Sequence, residues 1–243
     1  MKQFKFFTAA CFAVGMSFAF ASCNQGEEKK AEEKPADTTA VKAPEPPATP
    51  VKPANLMIVM HKVANFAKWL PGYEAHDSVR QAYGLHSYII ARGTKDTNMV
   101  MVVVRMDDAA KAKEFGALPS LKDAMKKGGV IGAPTMSLLD MQMLDASEAS
   151  TPNRVLVTHK VKDWDTWKKA FDSHKQTRMD AGLIDRALGY SIGDNHSVTI
   201  SFVVTDMKKA EDFSKSEDLK KKMQEAGVEG PPTFFYYTVV KKY

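Results

Sequence analysis

Two stretches of the chain carry histidine, tryptophan and arginine at the same spacing. Each residue of the second stretch lies 98 positions after its counterpart in the first. The eight residues are His61, Trp69, His76 and Arg80, followed by His159, Trp167, His174 and Arg178. An imidazole can transfer a proton, an indole can stack on an aromatic ring, and a guanidinium can hold a carboxylate. These residues could therefore bind a small acidic or aromatic molecule, with Arg178 on its acidic group, Trp167 on its ring and His159 or His174 orienting it.

The same side chains also have a structural interpretation, and the sequence leaves both open. Strand alternation places His61 on one face with Met57, Val59 and Val63. An imidazole on that apolar face must find a hydrogen-bond partner, which could be a ligand or the neighbouring helix. In the same way, the aromatic residues could belong to the core, and the His and Arg residues that follow them could close the end of a helix.

Motifs for other chemistry are missing from the sequence. The six histidines show no HxH or HExxH spacing, and no glycine-rich loop follows a predicted strand. Cysteine occurs only at Cys11 and Cys23. We therefore expect no metal and no cofactor. The formal net charge of +5 is spread among alternating basic and acidic residues, which argues against nucleic acid as a partner.

The recurring residues lie within a repeated pattern of secondary structure. In each copy an apolar strand, Leu56–Val63 in the first, precedes a helix. Asn65 or Asp163 should cap the start of that helix, and Gly84 or Gly182 should end it. Two strands, a second helix and a final strand follow, which gives the order β-α-β-β-α-β of a ferredoxin-like unit.

The two copies differ at one position that affects the predicted first helix. Pro71 has no counterpart in the second copy, and we expect it to kink or restart the first helix. The final strands are predicted at Thr135–Leu144 and Thr233–Lys241, with residues 230–232 as the turn that leads into the second of them.

A β-α-β-β-α-β unit leaves one apolar sheet face uncovered, so two units should cover each other. The predicted fold is α+β, with two tandem ferredoxin-like halves at residues 55–144 and 153–243. A linker at 145–152 joins them, and their sheets pack face to face as an intramolecular α+β barrel, with any ligand pocket inside it. Because the second half takes the place of a partner subunit, we expect a monomeric pseudo-dimer.

Two segments resemble the dimeric α+β barrel superfamily, which includes antibiotic-biosynthesis-monooxygenase-like proteins. They are VxHKVxDWxxWKKAFDxH at 157–174 and GVxGPPT at 227–233. The resemblance implies the fold, as a tandem pair over residues 55–243. It leaves activity open, since the superfamily contains monooxygenases, isomerases and haem-degrading enzymes as well as proteins without known chemistry. It also raises haem as an alternative ligand of His76 or His174.

The N-terminal region is typical of an exported bacterial lipoprotein. Residues 1–22 combine Lys2 and Lys5 with a short apolar run, as in a signal peptide, and the tetrapeptide ending at Cys23 resembles a lipobox. Residues 23–54 are rich in Pro, Lys and Glu and predict a disordered tether. We therefore expect lipidation at Cys23 and anchoring to the bacterial outer membrane, on its periplasmic or surface face.

Together these features predict a lipid-anchored extracytoplasmic protein that binds a small apolar or aromatic molecule in an α+β barrel. A cofactor-independent monooxygenase-like enzyme and an envelope interaction protein without a ligand are the alternatives. The membrane, through the lipid, and a small molecule are the expected partners.

Overall fold

The computed structural model describes residues 52–243. The predicted signal peptide, Cys23 and the tether up to residue 51 lie outside the described residues. None of the helices between residues 52 and 243 has the length and apolar character needed to span a bilayer.

Sixteen elements follow one another in two matching series. The first half contains β1 (Asn55–Val63), α1 (Phe66–Ala75), α2 (Asp77–Ala82), β2 (Leu85–Gly93), β3 (Met99–Met106), α3 (Ala109–Ala117), α4 (Pro119–Lys127) and β4 (Val130–Leu144). The second half contains β5 (Asn153–Val161), α5 (Trp164–Ser173), α6 (Lys175–Asp180), β6 (Leu183–Ser191), β7 (Asp194–Val204), α7 (Met207–Ser214), α8 (Glu217–Glu225) and β8 (Val228–Lys242).

The eight strands form one closed antiparallel barrel in the order β1-β3-β2-β8-β5-β7-β6-β4. Each half contributes a four-stranded ferredoxin-like sheet, ordered β4-β1-β3-β2 in the first and β8-β5-β7-β6 in the second. The sheets join where β2 pairs with β8 and where β4 pairs with β6. This arrangement confirms the predicted fold class of two tandem ferredoxin-like halves in an intramolecular α+β barrel.

Because side chains alternate along a strand, the barrel has an inner and an outer apolar surface. Met57, Val100 and Val102 face the helices of the first half, and Val155, Val157 and Ile200 face those of the second. A third apolar cluster lies inside the barrel and contains residues from both halves. Its members include Leu56, Ile58, Met101, Leu139, Leu156 and Tyr237.

The predicted helix ends are confirmed. The side chain of Asn65 accepts a hydrogen bond from the amide of Lys68 at 3.0 Å, and Asp163 accepts one from Thr166 at 2.8 Å. Gly84 and Gly182 follow α2 and α6 with φ values of 65° and 76°. This left-handed conformation ends a helix and is one that glycine adopts without steric cost.

The expected effect of Pro71 is wrong. Helix α1 continues through Pro71 to Ala75, and the interruption comes at His76. The second half is interrupted at the equivalent residue, His174, although Lys169 stands in the place of Pro71. The interruption is therefore common to both halves, and the contact that accompanies it is described with the site below.

The predicted start of the final strands is also wrong. Strands β4 and β8 begin at Val130 and Val228, and residues 230–232 lie within β8 instead of forming a turn before it. Gly132 and Gly230 have positive φ values of 73° and 69°. The pairing of both strands shifts register there, which is the geometry of a β-bulge, so each strand continues on the far side of its glycine.

Candidate functional site

The eight candidate residues form two groups of four, and each group lines its own cavity. The first helix-side cavity, of about 80 Å³, is lined by His61, Trp69, His76 and Arg80. The second, of about 250 Å³, is lined by His159, Trp167, His174 and Arg178. Both cavities lie between the helices of one half and the outer surface of its sheet. The prediction that these residues line a pocket inside the barrel is therefore wrong, because His61 and His159 face the helices.

The two strand histidines are buried without hydrogen-bond partners. Neither ring nitrogen of His61 or His159 has a partner within residues 52–243. Burial removes water from the imidazole and disfavours its charged form, which lowers the pKa of both His61 and His159 to about 4. At neutral pH each ring is therefore uncharged, with one donor and one acceptor available.

Each histidine lies opposite a bulge of the neighbouring strand. In the pairing of β1 with β4, Met60 and Lys62 have partners and His61 falls in the register shift between them. His159 occupies the same place between Thr158 and Lys160 in the pairing of β5 with β8. Bulges change the direction of side chains and are frequent beside functional sites. Gly230, the second glycine of the GVxGPPT segment, therefore shapes the strand next to His159.

An aromatic row connects the histidine to the helix in each half. In the second half the ring centroids of His159 and Trp167 are 5.3 Å apart, and Trp167 stacks on Phe171 at 5.0 Å. The first half repeats this with 5.3 Å between His61 and Trp69 and 5.2 Å between Trp69 and Tyr73. The row is buried: Trp69 is 4% exposed and Trp167 is 3% exposed.

The guanidinium of Arg178 is held by protein groups. It donates from Nε and Nη2 to the carboxylate of Asp185, at 2.9 and 2.7 Å, and from Nη1 to the carbonyl of Phe171 at 2.5 Å. It also stacks 3.6 Å from the centre of the Phe171 ring. An ion pair this buried satisfies the charge of both partners. The role expected of Arg178, binding the acidic group of a ligand, would require Asp185 to release it.

Arg80 repeats part of this arrangement. Its Nη1 donates to the carbonyl of Tyr73 at 2.6 Å, and its Nη2 contacts Asp77 at 3.0 Å. In both halves the arginine therefore binds a carbonyl at the end of the preceding helix, and that carbonyl also accepts from the amide of His76 or His174. This contact is common to the interruptions at His76 and His174, which end α1 and α5, and it agrees with the structural interpretation of the arginines.

The two halves also differ next to these cavities. In the first half, Leu118 and Leu121, at the start of α4, pack against the helix-side core. The position equivalent to Leu118 is Ser216, whose hydroxyl accepts a hydrogen bond from the amide of Leu219 as the N-cap of α8. A serine fills less of the core than a leucine, although neither residue lines a cavity.

A third cavity lies inside the barrel, where any ligand pocket was expected, but none of the eight candidate residues lines it. This interior cavity, of about 310 Å³, contains the buried Arg154 together with Ser201 and Tyr237. In the first half the equivalent residues are Leu56, Val103 and Leu139. A signal was therefore available in the sequence, because these three positions carry polar residues in the second copy and apolar residues in the first. Within residues 52–243 no group of three or more potential metal ligands occurs.

Comparison with solved structures agrees with this fold. A candidate monooxygenase from Fusobacterium nucleatum is 13% identical with a TM-score of 0.51, over 77% of this chain and 92% of that one. An anthrone oxidase-like protein is 13% identical with a TM-score of 0.52, over 78% and 92%. A heme-binding protein from Thermus thermophilus is 11% identical with a TM-score of 0.50, over 77% and 92%. No family model and no curated protein matches the sequence. At these identities the similarity shows the fold alone, the eight-stranded α+β arrangement of monooxygenase-like and chlorite dismutase-like proteins.

Proposed function

We propose that this protein binds a small aromatic molecule in the second helix-side cavity, with a polar group of the ligand on His159. The observation that carries the proposal is a cavity of about 250 Å³ in which a neutral imidazole has both nitrogens unpartnered. An unpartnered buried polar group costs about 1–3 kcal/mol, and a ligand hydroxyl would remove this cost.

The walls and the volume of the cavity define the ligand class. Phe171, Phe202, Phe213 and Phe234 supply aromatic surface around the histidine. An apolar cavity of roughly 150 Å³ holds one benzene molecule, so a volume of about 250 Å³ is suited to one or two fused rings. The four pyrrole rings of a haem exceed that volume, and the cavity does not fit it.

The candidate residues then have different roles. His159 binds the hydroxyl, and Trp167 forms the aromatic wall next to it. Arg178 is a positioning residue, because its contacts with Asp185 and the Phe171 carbonyl fix the helix that carries Trp167. His174 lies at the end of that helix and lines the cavity.

The low pKa of His159 favours a binding protein over the monooxygenase-like enzyme. A general base is most effective when its pKa lies near the working pH. With a pKa of about 4, the imidazole is a weak base toward a phenol. If the wild type consumed oxygen after addition of a quinol and His159→Phe did not, the monooxygenase-like enzyme would be favoured instead.

Naphthalene and 2-naphthol provide a test, because they differ only in the hydroxyl group. We expect both to quench tryptophan fluorescence of the purified protein. Loss of one hydrogen bond corresponds to about 0.5–1.5 kcal/mol, so 2-naphthol should bind roughly 2- to 10-fold more tightly. His159→Phe should remove this difference. Ala170→Leu, which fills the cavity from α5, should weaken both probes.

The repeat supplies the matched control. His61→Phe changes the same residue type in the same environment, but beside a cavity of only about 80 Å³. It should leave the binding of both probes unchanged. Equal affinities of the wild type for the two probes, or equal losses in the two histidine variants, would contradict the proposal.

We also propose that the protein is exported, acylated at Cys23 and tethered to the outer membrane through residues 23–54. The charged start, the short apolar run and the lipobox-like tetrapeptide support this location. A fatty-acid analogue should label the wild type in growing cells and leave Cys23→Ala unlabelled. Equal labelling of both would exclude acylation at this residue.

The barrel domain is proposed to be a monomer. The pairing of β2 with β8 and of β4 with β6 closes the barrel, so none of the eight strands within residues 52–243 presents an open sheet edge. Light scattering on the purified full chain in detergent should give one chain per particle after subtraction of the detergent mass. Two chains per particle would contradict this proposal.

A further inference from the structure

The interior cavity is separate from the two helix-side cavities and has a different chemical character. Its walls come from all eight strands of the barrel, and Glu148 of the linker lies at one end. None of the residues that line it lines a helix-side cavity. Its volume of about 310 Å³ could hold a molecule of about two rings.

The side chain of Arg154 is buried in this cavity and lacks a carboxylate partner. It is 4% exposed. Within residues 52–243 its hydrogen bonds come only from Nη1, which donates to the carbonyl oxygens of Thr151 and Asn153. Nε and Nη2 make no hydrogen bond to these residues, and no carboxylate among them lies within salt-bridge distance. Burial lowers the pKa of Arg154, as expected for a cation removed from water.

Of the other charged groups of the cavity, only Glu148 favours the charge of Arg154, and it lies beyond salt-bridge distance. Glu148 pairs with Lys242 at 2.8 Å, and Arg186 pairs with Asp145 at 3.3 Å. Arg105 lies over the ring of Tyr88, 4.3 Å from its centre. A buried charge without a partner costs stability, and a bound anion would remove that cost.

At three pairs of equivalent positions the cavity has an apolar wall from the first half and a polar wall from the second. The first half has Leu56, Met101 and Leu139 there, while its Tyr88 and Arg105 line the cavity elsewhere. The second half has Arg154, Thr199 and Tyr237 at the equivalent positions.

The polar wall continues inward from the guanidinium. Arg154 is paired with Tyr237 in the register of β5 and β8, so the two side chains are neighbours. The hydroxyl of Tyr237 forms a hydrogen bond of 2.8 Å with that of Ser201. A ligand that fits both walls has an apolar body and one charged end.

We propose that the interior of the barrel is a second binding site, for a small carboxylic acid with an apolar body whose carboxylate binds Nε and Nη2 of Arg154. A guanidinium presents these two donors as a planar fork that matches a carboxylate. The single negative charge equals the one buried positive charge that lacks a partner. The apolar body lies against the wall contributed by the first half.

Binding of 2-naphthoate to the purified full chain tests this site by titration calorimetry, with 2-naphthamide as the uncharged probe of the same shape. We expect 2-naphthoate to bind and 2-naphthamide to bind more weakly. Charge-assisted hydrogen bonds make the expected loss in Arg154→Leu roughly 10- to 100-fold in affinity for 2-naphthoate. Arg154→Lys keeps the charge without the fork and should lie between the wild type and Arg154→Leu.

Leucine is the residue at the equivalent position of the first half, Leu56, so Arg154→Leu should fold. We expect its melting temperature to equal or exceed that of the wild type, because a buried unpaired charge is removed. A lower melting temperature would instead indicate that Arg154 serves the linker through its contacts with Thr151 and Asn153.

Two control variants distinguish binding at Arg154 from general charge attraction and from binding in the second helix-side cavity. Lys160→Met removes an exposed positive charge elsewhere and should leave 2-naphthoate binding unchanged. His159→Phe alters the second helix-side cavity, where a naphthalene ring can also bind. The part of the 2-naphthoate binding that is lost in Arg154→Leu should remain in His159→Phe, so this proposal and the proposed function can fail separately. No binding of 2-naphthoate to the wild type, or equal binding to Arg154→Leu, would overturn the proposal.

Discussion

The two helix-side cavities contain the same histidine, tryptophan and arginine residues, yet they measure about 80 and 250 Å³. The residues that recur therefore do not determine how much space remains. In both halves they form the same row from strand to helix, with nearly equal ring distances. The residues around the row differ between the halves, as at Leu118 and its counterpart Ser216.

The same contrast applies to the charges around the arginines. Arg178 pairs with Asp185 on strand β6, whereas Arg80 pairs with Asp77 on its own helix. The counterpart of Asp185 in the first half is Ser87. Both arginines nevertheless bind the carbonyl at the end of the preceding helix. We infer that the contact between arginine and carbonyl is common to both halves. The carboxylate that pairs with the arginine lies on a different element in each half.

Replacement of the tryptophans should have the largest effect on stability. It tests whether the aromatic row supports both halves in the same way. Trp69→Ala and Trp167→Ala should each lower the free energy of unfolding by about 3–5 kcal/mol. The loss should be smaller for Trp167, because one side of its ring borders the larger cavity and has fewer atoms to lose contact with. Urea unfolding of both variants measures the difference. A larger loss for Trp167 would show that cavity size does not control the cost.

The strand histidines should give the next largest effect, as a dependence of stability on pH. Both have a pKa of about 4 in the folded chain, below the ordinary value of 6.5. The unfolded chain therefore binds protons first as the pH falls, so their contribution is complete above pH 6.5 and decreases down to about pH 4. A difference of this size corresponds to about 3 kcal/mol for each histidine.

The double variant His61→Phe/His159→Phe identifies the source of this dependence. Urea unfolding between pH 7 and pH 4 should show a much smaller loss of stability for the double variant than for the wild type. Each single variant should remove about half of the difference, since the two rings have the same environment. An unchanged slope in the double variant would mean that other groups cause the acid sensitivity.

The sequence predicts most of the fold because its signals are local. Asn65 and Asp163 cap helices through contacts three residues away, and Gly84 and Gly182 end them through their own backbone conformation. The spacing of the repeat also groups each set of four site residues correctly. Such features do not depend on distant parts of the chain.

The remaining features depend on tertiary structure. Alternation places His61 and Val63 on one face of β1, but both faces of a barrel strand are apolar, so the pattern does not tell inside from outside. The interruption at His76 coincides with a contact between the guanidinium of Arg80 and the Tyr73 carbonyl. The interior cavity is visible only when residues of both halves are compared across the barrel.

The smallest expected effect concerns a hydrogen bond that only the first half possesses. The hydroxyl of Tyr73 lies 2.9 Å from that of Ser87 and joins α1 to β2, whereas Phe171 has no hydroxyl. Tyr73→Phe should lower the free energy of unfolding by about 1 kcal/mol, and Ser87→Ala by somewhat more, because the Ser87 hydroxyl also donates to Asp77 at 3.4 Å. Tyr83→Phe is the matched control, because the Tyr83 ring packs on Phe115 and its hydroxyl makes no hydrogen bond within residues 52–243.

In the double variant Tyr73→Phe/Ser87→Ala both partners are gone and no group is left unpaired, so its loss should be smaller than the sum of the single losses. Additive losses, measured by urea unfolding, would show that the two hydroxyls act independently and that this contact does not distinguish the halves.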